Sequence, residues 1–232
     1  GIGAALATGL ARAGAHLVLS ARRQEALLEL AGDGDMVEPL DATDAGSVEI
    51  AAQSIQRDWG ALDMVIYCAG DYRPMRAWEI DLQAVTRMFQ VNLAGVYNVL
   101  DSALPAMLER GSGGICLVSS VAGYTGLPKA LAYGPSKAAL INLAEVLYSD
   151  LRPRGIGVYL VNPGFVDTRL TRQNDFDMPA LTTPEIAAEQ ILKGLAKGKF
   201  EIHFPKRFTL AMQMLARLPD RLRFYLLRRA AS

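Results

Sequence analysis

The sequence predicts an α/β protein with a doubly wound, mostly parallel β-sheet. Short apolar runs alternate with longer segments of helical periodicity, which is the pattern of parallel strands linked by crossover helices. One of these runs, 62–67, is apolar almost throughout, as in strands that helices cover on both faces. Of the 232 residues 51% are hydrophobic, which is enough for one α/β domain with a sizeable core.

The N-terminal half is expected to open with a glycine turn, Gly1-Ile2-Gly3, and a helix over 4–13 that Gly14 ends. The following elements are predicted from apolar runs and from the helical spacing between them. They are strands at 16–20, 36–40 and 62–67, a helix that starts at a cap within 41–44 and runs through Trp59, and a long helical segment over 79–110.

The C-terminal half continues the alternation. A buried strand is predicted at 115–118, and the apolar-periodic segment 138–151, which Tyr133 and Lys137 open, is predicted to be a helix. A proline at the first turn favours a helix at 184–197. Strands at 157–161 and 200–204 and a mobile lid over 169–183 complete the prediction.

Composition and charge exclude several classes of function. Lys and Arg together number 24, as do Asp and Glu, so the net charge is zero and nothing indicates nucleic-acid binding. The two cysteines, Cys68 and Cys116, each fall in an apolar context, which predicts neither a disulfide framework nor a metal site. We therefore expect a reducing, cytoplasmic setting. No apolar run approaches the length of a membrane span.

One short segment places a hydroxyl, a phenol and an ammonium together. Ser120 follows a predicted strand, while Tyr133 and Lys137 lie one helical turn apart and so share a face. Proton transfer by a phenol near neutral pH requires its pKa to fall by roughly three units, about 4 kcal/mol, and a nearby ammonium can supply much of this. The alternative is that Tyr-x-x-x-Lys is a chance pattern.

These residues resemble the Ser and Tyr-x-x-x-Lys signature of the short-chain dehydrogenase/reductase superfamily. Further motifs in the same order support the resemblance, which is close over 1–168 and loose to about 205. They are the turn Gly1-Ile2-Gly3, Cys68-Ala69-Gly70 where the family usually has Asn-Ala-Gly, Asn92 in Val-Asn-Leu, and Asn162-Pro163-Gly164 with Thr168.

The resemblance implies a Rossmann-like fold and assigns residues to a catalytic and a cofactor site. The expected catalytic residues are Asn92, Ser120, Tyr133 and Lys137, with Asn92 supporting a proton relay. The expected cofactor-binding residues are Gly1, Ile2, Gly3, Arg22, Asp41, Ala69, Gly70, Tyr133, Lys137, Pro163, Gly164, Val166 and Thr168. In the family a strand precedes the glycine turn and lies in the middle of the sheet, so we expect the natural protein to have that strand.

The end of the second expected strand bears on the choice of cofactor. Dinucleotide folds that use NAD place an acidic residue there to bind the ribose 2′-hydroxyl. This chain has Ala21-Arg22-Arg23 instead, and the planar cation of Arg22 suits a 2′-phosphate. NADP(H) is therefore favoured over NAD(H), with an ordinary solvated arginine as the alternative.

The predicted function is an NADP(H)-dependent oxidoreductase that interconverts a carbonyl compound and an alcohol. The mixture of Leu170, Phe176, Met178 and Leu181 in the expected lid suggests an apolar or lipid-like substrate. Use of NAD(H), or a non-catalytic nucleotide-sensing or structural role on the same fold, is the alternative. A homodimer is expected through the helical segments 95–110 and 133–152, which carry apolar residues on more than one face and pair across a two-fold axis in the family.

The chain is expected to divide into a catalytic domain, 1–204, and a basic, apolar helical extension, 205–232. The extension has a net charge of plus six, which leaves minus six on the rest. It either covers the active site and contacts an anionic membrane, or packs against the acidic body of the protein. Its basic residues are Lys206, Arg207, Arg217, Arg221, Arg223, Arg228 and Arg229.

Overall fold

The computed structural model describes residues 1–229. The α-helices are α1 (Ile2–Arg12), α2 (Gln24–Leu28), α3 (Ala45–Asp58), α4 (Leu82–Phe89), α5 (Gly95–Arg110), α6 (Tyr133–Leu151), α7 (Pro184–Ala196), α8 (Lys206–Ala216) and α9 (Asp220–Arg229). The β-strands are β1 (Val18–Leu19), β2 (Met36–Val37), β3 (Met64–Tyr67), β4 (Gly113–Val118), β5 (Ile156–Pro163) and β6 (Glu201–Phe204).

All strand pairs in the two described sheets are parallel. Four strands form one sheet in the order β3-β4-β5-β6, with Ile115 of β4 opposite Val65 of β3 and Val158 of β5. The pair β1-β2 forms a separate two-stranded sheet. Both of its strands are shorter than predicted, although backbone hydrogen bonds continue the pairing as far as Leu40 N to Ala21 O, at 3.2 Å.

Helices pack on both faces of the four-stranded sheet, which confirms the predicted doubly wound α/β class. On one face α5 and α6 form an apolar core with the strands, and on the other α1 and α7 pack against each other and the sheet. The centre of the sheet is inaccessible to solvent, with Ile115, Leu117, Leu160 and Val161 all buried. The same strands therefore hold their C-terminal ends in fixed positions, where a site can be built.

The long helical segment predicted over 79–110 is interrupted. Helix α4 ends at Phe89, and a π-helical segment, Gln90–Ala94, leads into α5. The hydroxyl of Tyr67 donates a hydrogen bond of 2.6 Å to the carbonyl of Val91 in this segment. A π turn is a local widening that apolar periodicity does not reveal, and such turns are frequent at functional sites.

The extension after β6 folds back onto the body. Thr209 is buried and its hydroxyl lies 2.6 Å from Nδ1 of His203 in β6. Gln213 donates to Glu201 Oε1 and to Tyr124 Oη, each at 3.2 Å. The helical extension predicted over 205–232 consists of α8 and α9 as far as residue 229, and residues 230–232 lie outside the described part. No described helix is both long enough and apolar enough to cross a membrane.

Candidate active site

The hydroxyl, the phenol and the ammonium predicted to act together meet at the C-terminal end of β4. Ser120 lies two residues beyond the last residue of this strand, and Tyr133 is the first residue of α6. The Nζ of Lys137, one turn further along α6, lies 5.6 Å from the centre of the Tyr133 ring. The Ser120 hydroxyl also interacts with the Tyr133 phenol, which lowers the pKa of that phenol.

The loop after β4 approaches α6 closely enough to fix these positions. The buried hydroxyl of Ser119 donates to the carbonyl of Lys137 at 2.8 Å. A Cβ on Gly123 would lie 2.8 Å from that same carbonyl oxygen, closer than real side chains come. Glycine at 123 therefore allows the loop to pass against the backbone of α6.

Burial has the largest effect on the pKa values of Tyr133 and Lys137. It raises the pKa of Tyr133 to about 12, against the lowering effect of Ser120. It lowers the pKa of Lys137 to about 8, and the ammonium donates a 2.9 Å hydrogen bond to the carbonyl of Val118. The expected lowering of the Tyr133 pKa by Lys137 is not found in this arrangement: burial raises that pKa, and the hydrogen bond with Ser120 opposes the rise.

Asn92, in the π-helical segment, is fully buried and joins two parts of the site. Its Oδ1 accepts a 2.7 Å hydrogen bond from the backbone N–H of Asp71, just after Gly70. Its Nδ2 donates to Ser136 Oγ at 2.9 Å, and Ser136 Oγ donates in turn to the carbonyl of Tyr133 at 2.8 Å. Asn92 thus braces the first turn of α6 against the loop after β3.

Of the predicted cofactor-binding glycines, Gly70 lies beside Asn92 and Lys137, while Gly1 and Gly3 lie beside Thr168 and Cys68. A Cβ on Gly70 would lie 3.7 Å from Asn92 Oδ1 and 3.8 Å from Lys137 Nζ. A Cβ on Gly1 would lie 3.6 Å from Thr168, and one on Gly3 would lie 3.5 Å from Cys68 Sγ. The chain therefore comes together here from five separate stretches.

These residues fit a dinucleotide cofactor. No side chain caps the N-terminus of α1, and its first turn holds no acidic residue. Its backbone N–H groups can therefore donate hydrogen bonds to a pyrophosphate. Ile2 packs into the core below, while Ala69 is exposed beside Gly70. Among residues 1–229 no cluster of three His, Cys, Asp or Glu side chains could hold a metal ion.

The loop after β5 carries the other predicted cofactor residues. Pro163 ends the strand, and Gly164 N donates to the carbonyl of Phe204 at 2.7 Å. A Cβ on Gly164 would lie 2.9 Å from the ring of Phe208, so α8 packs directly on this loop. Val166 is buried, and its carbonyl accepts a 2.6 Å hydrogen bond from the Thr171 hydroxyl, which also bonds to Thr168 N at 3.0 Å.

Arg22 and Asp41 lie away from the catalytic set, beyond the ends of β1 and β2. Arg22 is exposed, and its charge helps to lower the pKa of Asp41, although hydrogen bonds from Thr43 have the larger effect. Asp41 Oδ1 accepts from Thr43 N at 2.9 Å and from its hydroxyl at 2.8 Å. Asp44, also in the predicted cap, is the residue that caps α3.

Sequence reasoning missed two groups of packed aromatic rings, one of which includes Tyr133. The ring of Tyr72 packs edge-on to Tyr133 with centroids 4.9 Å apart, and its hydroxyl donates to Asn174 Oδ1 at 2.7 Å. Phe165 lies 5.9 Å from Phe176 and 5.6 Å from Phe208, between ring centroids. Only the position of Tyr72 two residues after Gly70 could have signalled this role, since the other contacts join distant parts of the chain.

Comparison with known proteins places the chain in a family. Residues 1–178 match the short chain dehydrogenase family. An uncharacterized oxidoreductase of Myxococcus xanthus is 35% identical over 226 residues, which cover 95% of this chain and 89% of the relative.

Comparison with solved structures supports the same family. A short-chain dehydrogenase from Streptomyces avermitilis superposes with a TM-score of 0.83 at 27% identity, covering 92% of this chain and 88% of that one. A gluconate 5-dehydrogenase from Burkholderia cenocepacia, solved with NADP and tartrate, has a TM-score of 0.78 at 25% identity, covering 88% and 89%. The chain therefore belongs to the short-chain dehydrogenase/reductase superfamily and is an oxidoreductase of that type.

Proposed function

We propose that this oxidoreductase uses NADP(H) to interconvert a ketone or aldehyde and an alcohol, with an apolar or lipid-like molecule as its substrate. The observation that carries the proposal is the half-buried side chain of Tyr133 beside the Ser120 hydroxyl and one helical turn from Lys137. A nucleotide-sensing protein without turnover would not need this set. Its completeness therefore favours catalysis.

For reduction, the cofactor would supply a hydride to the carbonyl carbon. Tyr133 donates its proton to the carbonyl oxygen, and Ser120 orients that oxygen by hydrogen bonding. A phenol with its pKa raised to about 12 keeps its proton at neutral pH, as an acid must before the transfer. Lys137 supplies positive charge near the developing alkoxide and binds the cofactor ribose, and Asn92 holds the first turn of α6 and supports proton resupply.

The remaining cofactor contacts are proposed from the positions of small residues and loops. The backbone around Gly1, Ile2 and Gly3 would bind the pyrophosphate, and Ala69 and Gly70 would leave room for the cofactor beside Lys137. The loop Pro163, Gly164, Val166 and Thr168 would cover the nicotinamide, and Asp41 would meet the adenine.

An apolar substrate is proposed from the apolar side chains of the expected lid and of the loop before it. Phe165 and Phe176 pack together, and Phe176 is exposed to solvent, as a lid residue must be to contact an entering molecule. Leu170 lies close to Gly70 and the catalytic set. Binding apolar substrate surface at these side chains would stabilise the complex by about 25 cal/mol for each Å² removed from water.

The preference for NADP(H) is proposed from Arg22. It is exposed at the end of β1, and no described carboxylate forms an ion pair with it. A free guanidinium in this position can bind a 2′-phosphate in bidentate fashion. The related gluconate 5-dehydrogenase was solved with NADP, in keeping with this choice. NAD(H) is the alternative.

Replacing Tyr133 by Phe should leave NADPH binding nearly intact and lower turnover at least about a hundredfold, because a positioned acid is lost. Single-turnover oxidation of NADPH with a ketone that the wild type reduces measures the effect. Tyr148→Phe on the same helix is the control and should retain activity. Undiminished turnover in Tyr133→Phe would remove the assigned role.

The pH profile of kcat/KM for NADPH should fall above pH about 8. Burial lowers the pKa of Lys137 to about 8, so its ammonium is present below that pH and is lost as the pH rises through it. Tyr133 stays protonated over the same range. The slope should approach tenfold per pH unit. Recovery of activity on return to neutral pH controls for unfolding, and a flat profile up to about pH 10 would contradict the role of the ammonium.

Arg22→Asp should weaken NADPH binding relative to NADH by roughly 2 kcal/mol, since a charged hydrogen bond is replaced by repulsion. The ratio of the two dissociation constants, from titration of cofactor fluorescence, is the readout. Arg23→Asp is the matched control at the next position. An unchanged ratio in Arg22→Asp would place the discrimination elsewhere.

A homodimer is proposed through α5 and α6. Tyr97 and Leu108 on α5 and Val146 on α6 are exposed apolar side chains that a second copy would cover. Light scattering at micromolar concentration should give twice the mass of one chain, and Val146→Glu should lower it towards the single chain. A wild-type monomer under these conditions would exclude the pairing.

We further propose a cytoplasmic protein in which the extension 205–232 makes peripheral contact with membranes. Four apolar residues of α9 are exposed beside its arginines, although α8 itself packs on the body. They are Leu222, Phe224, Tyr225 and Leu226. Sedimentation with anionic liposomes at low salt should recover the protein, and neutral liposomes should not. Absence from both pellets would leave packing as the role of the extension.

A further inference from the structure

A cavity of about 730 Å³ lies between α9 and the loop that connects Ser120 to Tyr133. Its apolar lining comes from Leu127 and Pro128 of this loop and from Phe224 and Leu227 of α9. Gly126 and two cationic residues, Arg76 and Arg228, complete it. The cavity is thus an open, largely apolar depression whose wall includes two arginines.

Neither arginine is neutralised by a carboxylate. None of the described acidic side chains forms an ion pair with Arg76 or Arg228. Arg76 lies over the exposed ring of Trp78, 5.6 Å from its centre, and Arg228 donates through Nε to the carbonyl of Phe224 at 3.3 Å. Both guanidinium groups retain donors for a ligand.

The acidic residue whose charge interacts with that of Arg76 is Asp175, which is already paired with Lys129. The pKa of Asp175 is lowered mainly by its hydrogen bond from Lys129, and the charge of Arg76 adds to the effect. Lys129 and Asp175 form an ion pair of their own. A carboxylate from within the described protein therefore does not take the place of an external anion at Arg76.

The same loop links this cavity to the catalytic groups. Met75, the residue before Arg76, forms two backbone hydrogen bonds with this loop. Its N–H donates to the carbonyl of Lys129 at 2.9 Å, and its carbonyl accepts from Leu131 N at 3.4 Å. Lys129 also lies 5.8 Å from the ring centre of Phe176 in the lid. Met75 also packs in one apolar cluster with Ala132 and Tyr133, so a substrate that extends from Tyr133 past Met75 is directed towards Arg76 and the cavity.

We infer that this cavity binds the anionic end of the substrate, so that the substrate class is an apolar carbonyl compound with a carboxylate or phosphate at its far end. The inference rests on the proposed carbonyl reduction. Guanidinium groups bind carboxylate and phosphate oxygens through paired N–H donors, while the apolar wall accepts the adjoining chain.

Steady-state kinetics with matched substrates test the assignment. Straight-chain oxo acids, in which the carbonyl moves stepwise away from the carboxylate, are compared with their methyl esters. In Arg76→Gln and in Arg228→Gln, the KM for the best oxo acid should rise roughly tenfold, the scale of one charge-assisted hydrogen bond, with the KM for its ester and kcat unchanged.

Arg221→Gln is the matched control. It removes the same charge from α9 at an exposed position that does not line the cavity. Equal effects of Arg221→Gln and Arg228→Gln on the oxo acid would show a general charge effect and overturn the inference. So would oxo acids and esters with the same KM in the wild type. Unchanged melting and NADPH binding establish that the variants are folded.

A binding experiment separates this inference from the proposed reaction. In Trp59→Phe, Trp78 is the one remaining tryptophan of the two in the sequence, and its contact with Arg76 makes its fluorescence a reporter. Monomeric dodecanoate should quench it, dodecanol should not, and Arg76→Gln should abolish the effect. If dodecanoate binds in this way but no carbonyl compound is reduced, the proposed reaction fails while the cavity remains an anion site.

The other outcomes are equally decisive. If ketones are reduced but dodecanoate neither quenches Trp78 nor competes with the oxo acid, the cavity assignment fails and the reaction stands. If vesicles of anionic lipid quench Trp78 while monomeric dodecanoate does not, the two arginines face a lipid surface, and the cavity is not a substrate site.

Discussion

The burial of one ammonium within the first turns of α6 is the constraint on which the rest of the site depends. Lys137 is only 3% exposed, and a charge in such a place is stable only where oxygen atoms surround it. The carbonyl of Val118 accepts a hydrogen bond from the ammonium, and this bond joins the end of β4 to α6. The loop after β4 can lie this close to α6 because residue 123 is a glycine and because the Ser119 hydroxyl donates to the carbonyl of Lys137. The catalytic geometry and the packing of sheet on helix are therefore one arrangement.

Polar groups are concentrated where the strands end, and almost all of them are paired. Asn92, Ser119, Ser136 and Lys137 are buried, and each is hydrogen-bonded to backbone or to another member of the set. Paired polar groups in an apolar interior allow few alternative packings. The loop after β3 and the start of α6 are thus held before any ligand arrives, which lowers the ordering cost of binding.

Local patterns in the sequence sufficed for most of the helices, though not for α2, and for the parallel strands of the larger sheet and the meeting of Ser120 with Tyr133. They failed where the outcome depends on the surroundings. The π-helical turn around Asn92, the packing of Tyr72 on Tyr133 and the short extent of β1 are set by tertiary contacts. The direction of the pKa change at Tyr133 depends on how much water is excluded, which the spacing of two residues does not encode.

The contact between Gly164 and Phe208 has a consequence for how this chain can diverge. The phenyl ring occupies the volume that a side chain at 164 would need, so the loop after β5 and the first turn of α8 share one space. A larger residue at 164 requires a smaller one at 208. The two positions are therefore expected to change together among relatives, and a change in the loop is expected to require one in the extension.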